Sequence, residues 1–129
     1  MKISAASVLF LAVALASGLA YADCTYPQAP AKVPDGATAT KQEMINGMMA
    51  VRAFDQAIKA YTDCLRLEHD TAVKKIDPKS DPDKAKAQKT ELDNVYIKKN
   101  DAAVDQDSSI ASRFNEQVKV FNARTKGKS

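Results

Sequence analysis

Two long stretches of this chain repeat apolar side chains at helical spacing, with a short polar interval between them. In the first, Met44, Met48, Val51, Phe54, Ile58, Tyr61, Leu65 and Ala72 recur at steps of three, four and seven, the signature of one helix face. In the second, Ala85, Leu92, Tyr96, Ala103, Ile110, Phe114, Val118 and Phe121 do the same. Thr40, three residues before Glu43, gives the first stretch a capping box, and Asp77-Pro78 ends it, because the residue before a proline is driven out of helical geometry. Asp81-Pro82 opens the second with a favoured N-cap and a proline where no backbone donor is needed. The spacing predicts helices over about 41–76 and 82–123, with a basic flexible tail at 124–129. A connection of about six residues forces the two antiparallel. The fold class is therefore all-α: a helical hairpin, domain 41–123, preceded by an extended strap.

The second helix has one weak point. NDAAVDQDSS, residues 100–109, is rich in side chains that prefer caps and turns, and Asp101 and Asp105 repel across one helical turn. One kinked helix or a break giving three helices are both compatible with this stretch. Pairing outward from the tip sets Leu65 near Leu92, Tyr61 near Tyr96 and Met44 near Phe114. A lone hairpin buries a single seam, so the strap or a second copy in a homodimer must cover the rest.

The strap, residues 23–40, carries Pro27, Pro30 and Pro34 and then the turn signal Asp35-Gly36. It also carries Cys24, one of only two cysteines; the other, Cys64, lies beside the apolar stripe of the first helix. Fully extended, the strap reaches roughly 50 Å. Residues 41–64 of a helix rise roughly 35 Å. The strap can thus double back along the helix and set Cys24 against Cys64. One intramolecular disulfide is the expected arrangement, with free thiols or intermolecular pairing as the alternatives. Closing a loop of about forty residues stabilises a fold by roughly 4 kcal/mol on the chain-entropy model.

Compartment follows from the leader and the cysteines together. MKISAASVLFLAVALASGLAYA, residues 1–22, has the charged, apolar and small-residue order of a secretory signal peptide. The alternative, a membrane anchor, meets the difficulty that the apolar run from Val8 to Ala16 is short for about 30 Å of hydrocarbon. Cleavage after Ala22 removes one lysine and no acid, lowering the formal charge from +3 to +2. So mild a charge gives no basis for nucleic-acid binding. A disulfide-bonded exported chain belongs in a bacterial periplasm or outside the cell, with no stable membrane span after cleavage.

Chemistry-bearing patterns are few. His69, the single histidine, stands in LEHDT between Glu68 and Asp70; consecutive helical residues point apart, so a metal site is disfavoured, and Asp70–Lys74 and Arg66–Asp70 read as ordinary surface pairs. Met44, Met48 and Met49 invite a copper(I) reading, against which two lie on the core stripe. No nucleophile elbow, glycine-rich phosphate loop or C-x-x-C motif is present. No catalytic residue, metal ligand or cofactor is therefore assigned. Phe114, Val118, Phe121, Met44 and Met48 gather at the end where the strap must pack; left uncovered, they would form an apolar surface for a partner.

DCTYPQAPAKVPDGATATKQEM followed by FDQAIKAYTDCL resembles a set of small exported proteobacterial proteins to which no activity is assigned. The resemblance rests on Cys24, the turn from Pro34 to Thr40 and Cys64, and it implies export and the disulfide. A helical hairpin with apolar surface also invites comparison with periplasmic stress-response chaperones, whose Leu-Thr-x-x-Gln repeats are missing here. The expected function is that of a non-enzymatic envelope protein, a structural or interaction module for a partner of unknown identity. A holdase-like chaperone for unfolded clients is the alternative, and a small-ligand or metal carrier a weaker one.

Overall fold

The computed structural model describes residues 24–127; the leader assigned to residues 1–22 lies outside them, as do Lys128 and Ser129. Two helices account for most of the chain: α1, Lys41–Lys74, of 34 residues, and α2, Pro82–Lys126, of 45. They pack against each other as an antiparallel hairpin, with no strand among the described residues. Local chemistry sets both starts. The Glu43 backbone N–H donates to Thr40 Oγ1 at 3.2 Å, and Glu43 Oε2 accepts from the Thr40 N–H at 2.7 Å. At α2, Asp81 accepts from the backbone N–H groups of Asp83 and Lys84 at 3.0 and 3.2 Å. These caps satisfy donors that a helix start leaves without partners.

Both ends differ from expectation. α1 stops at Lys74, because Lys75 and Ile76 donate to Ala72 and Val73 three residues back, tightening the last turn. The basic tail is corrected at its start: α2 continues to Lys126. Arg124 holds it there, donating to the Ala39 carbonyl and lying over the Phe121 ring at 5.2 Å. α2 also runs unbroken through residues 100–109, so the described residues form two helices, not three.

Cys24 and Cys64 form the disulfide, with Cα atoms 5.8 Å apart. From it the strap descends along the seam to the base of the hairpin, touching both helices. Tyr26 packs edge-on against Tyr61 at 5.0 Å and hydrogen-bonds Gln106 of α2. The Gly36 N–H donates to Gln117 Oε1 at 2.8 Å. The chain then reverses in a turn in which Asp35 accepts from Ala37, Thr38 and Ala39, and α1 begins.

Side chains buried this way form two clusters. Phe54, Ile58, Tyr61, Leu65, Ala103 and Ile110 make the larger, with Cys24 and Ala29 of the strap against it. Ala39, Met44 and Phe114 make the smaller, covered by Val33 and flanked by Met48, Val118 and Phe121. Met44 and Phe114 meet as expected. Tyr96 does not meet Tyr61 ring to ring: its ring lies 5.0 Å from that of His69, about two turns nearer the tip. The Tyr61 ring is engaged instead by Tyr26 of the strap, edge-on at 5.0 Å.

Two glycines let the strap come this close. A Cβ on Gly47 would stand 2.5 Å from Pro34 Cγ and 3.1 Å from the Phe114 ring; one on Gly36 would stand 2.0 Å from the Gln117 carbonyl oxygen and 2.8 Å from the Phe121 nitrogen. Backbone cannot step aside as a side-chain tip can. Gly36→Ala is expected to lower stability by about 3 kcal/mol through overpacking. Gly127→Ala, where the nearest atom is 3.7 Å away, is expected to leave it unchanged. Chemical denaturation of the two variants checks the contrast.

Candidate functional site

The seam between the helices follows a strict alternation of three and four. On α1 it runs Met44, Gly47, Val51, Phe54, Ile58, Tyr61, Leu65, Glu68 and Ala72; on α2 it runs Asp93, Tyr96, Asn100, Ala103, Asp107, Ile110, Phe114, Gln117 and Phe121, all buried or half-buried. This is the seam of a coiled coil. Polar residues interrupt it on α2 at intervals of seven: Asp93, Asn100 and Asp107. They divide the molecule functionally.

In the base half, the strap closes the seam. Of the five residues named for an interaction surface, Met44 and Phe114 are each only 7% exposed, and Met48, Val118 and Phe121 pack half-buried against them. The strap packs at this end as expected, with Val33 and Ala39 against the cluster. A separate cleft at the turn, lined by Lys32, Asp35, Thr38, Glu43 and Asn46 among others, has its acids committed. Glu43 is held below the usual carboxylate range by its capping hydrogen bonds to Thr40, and Asp35 builds the turn.

In the distal half, nothing among the described residues covers the seam. No residue beyond Leu65 on α1, nor before Ala103 on α2, is fully buried. Apolar side chains nonetheless continue to the tip. Leu65, Ala72, Leu92, Val95 and Tyr96 line an open cleft of ≈ 180 Å³, rimmed by Glu68, His69 and Lys99. It runs into a second opening that shares Ala72 and Leu92 and extends to Ile76, Gln88 and Glu91. Val95 stays 43% exposed. Together the two openings form a groove long enough to seat side chains from another helix.

One polar linkage braces this arm, and it escaped the sequence reading. His69 is half-buried and pairs across the seam, Nε2 to Asp93 Oδ1 at 2.7 Å, while its Nδ1 lies 3.4 Å from Asp70 of its own helix. Asp93 is pulled below its ordinary value by Lys89, at 2.6 Å, and then by His69. The available signal was the interval of seven to Asn100 and Asp107. Among the described residues, no group of three or more His, Cys, Asp or Glu side chains is placed to hold a metal ion, and no described helix is long and apolar enough to cross a membrane. Met44 and Met48 sit in or against the smaller core cluster, and Met49 is exposed. The chain matches no protein-family model, no curated protein and no solved structure.

Asp107 is the second polar oddity. One of its carboxylate oxygens is buried without a hydrogen-bond partner among the described residues. Burial raises its pKa and the neighbouring Asp55 charge raises it further, while Lys59, bonded to Asp55 at 2.7 Å, keeps Asp55 low. A carboxyl whose pKa is raised on folding favours the folded state below its unfolded value, and that advantage is lost as pH rises through the folded value. Asp107→Asn is therefore expected to stabilise the protein at pH 7 and to leave it nearly unchanged at pH 3. Thermal melts of both proteins at the two pH values check the sign.

Proposed function

We propose that this chain is an exported, non-enzymatic interaction module of the bacterial envelope, acting through the distal arm of its hairpin. One observation carries the reading: the buried core ends at Leu65 and Ala103, while apolar residues continue along both helices to the tip. A folded chain that leaves an apolar helical groove open does so where another surface completes it. The disulfide supports an oxidising compartment, and the leader pattern of residues 1–22 supports delivery there by export to the periplasm or beyond. The resemblance to small exported proteobacterial proteins agrees with both. The absence of any paired catalytic constellation in the sequence supports a role in binding rather than turnover.

The groove suits an amphipathic helix laid lengthwise, with its anchors between Leu92 and Ala72, rather than an extended peptide, because no strand edge is offered. The test is site-specific photo-crosslinking in cells, with the crosslinker at position 95 in the groove and, as a control, at Met49, which is exposed on the base. One or two discrete adducts from position 95 and none from 49 are expected. A ladder of many unrelated exported proteins from position 95 would instead make the chain a holdase. Equal labelling from both positions would remove the groove from the function.

A further inference from the structure

We infer that the helix occupying the distal groove is α2 of a second copy of this chain, so that two hairpins join by their distal arms into a four-helix bundle. The inference rests on the reading of the distal arm as the interaction surface and names its partner.

The argument starts from the pattern Glu91, Val95, Lys99. These residues lie at i, i+4 and i+8, hence on one face of α2, and Val95 and Lys99 border the groove directly while Glu91 borders its extension. An acid stands one turn before an exposed apolar residue and a base one turn after it. Within a single chain the two charges are about 12 Å apart along the axis and cannot meet. Neither has an ion-pair partner among the described residues. Across a two-fold axis through Val95 the arrangement becomes self-complementary. Val95 meets its own copy, Glu91 faces the partner's Lys99, and Lys99 faces the partner's Glu91. An isologous contact requires this kind of pattern, in which residue i meets j and j meets i.

Packing supports the same geometry. With Val95 on the axis, Leu92 of each copy lies beside the groove of the other, whose floor is Ala72 and Leu65. A small residue facing a large one is what allows helices to approach closely. From Cys24, level with Cys64, the described strap runs toward the base and away from the arm. An unrelated helix would also find apolar floor here, but it would have no reason to carry the mirrored charges.

The experiment uses the full processed chain in its oxidised form. Sedimentation equilibrium measures self-association of the wild type, Glu91→Lys, Lys99→Glu and the double exchange. All substitutions are at exposed positions, so folding is preserved. Each single reversal acts twice in a symmetric dimer and places like charges together; it is expected to weaken association about tenfold, and the double exchange to restore it. Val95→Cys is expected to give a dimer linked through position 95, with Val104→Cys, exposed elsewhere on α2, giving none. A wild type that stays monomeric up to high micromolar concentration overturns the inference, as does a dimer that both single reversals leave intact. If the monomer persists while position 95 still crosslinks to one other protein in cells, the interaction reading stands and the self-pairing falls. If neither occurs, both fall.

Discussion

The closure of the strap onto the hairpin, fastened by Cys24–Cys64, is the constraint on which the rest of the molecule depends. Two antiparallel helices alone offer each other one narrow seam, too little buried surface for a chain of this size. The disulfide sits where the strap first meets α1, and below it every element has a third layer: Ala29 and Cys24 over the Phe54–Leu65 cluster, Val33 and Ala39 over Met44 and Phe114. Constraining a loop of about forty residues contributes roughly 4 kcal/mol in the chain-entropy account. That is comparable with the whole stability of many small domains. Gly36 and Gly47 are the steric condition for the closure, since a Cβ at either would meet the opposing layer.

From this constraint follows an uneven molecule. The base is a three-layered unit with its apolar face closed. The arm beyond Leu65 and Ala103 is two helices with an open groove, braced by the His69–Asp93 hydrogen bond. Polar residues in a coiled-coil seam lower stability while fixing register. Asp93, Asn100 and Asp107 hold such positions in α2, and their spacing of seven sets how α2 lies against α1. Buried apolar surface is thus concentrated in the base, and the proposed interaction surface lies on the arm.

Much of this was legible in the sequence for reasons that can be named. The capping box at Thr40 and Glu43 and the Asp81-Pro82 start are local signals, and local chemistry decided both helix starts. The disulfide followed from compartment and chain length. What was not legible depended on how layers meet. That the strap packs at Phe114 and Phe121 was legible, but which of its side chains, Val33 and Ala39, fill the site was not. Tyr61 pairs with Tyr26 of the strap and Tyr96 with His69, a choice that depends on where the strap lies. The end of α2 was placed short of Lys126 because the bond from Arg124 to Ala39 joins residues 85 apart in the chain. The cross-seam partner of His69 was not legible until α2 brought Asp93 to it.

The central claim is that the strap divides the hairpin into a stable base and an arm that needs a partner. Native-state hydrogen exchange on dilute, oxidised protein, read residue by residue, tests this most directly. The account predicts strong protection for amides from Met44 to Leu65 and from Ala103 to Val118, with exchange at least about a hundredfold faster between 66 and 102. Equal protection along the full length of both helices would show that the arm is as stable as the base without a partner, and would contradict it.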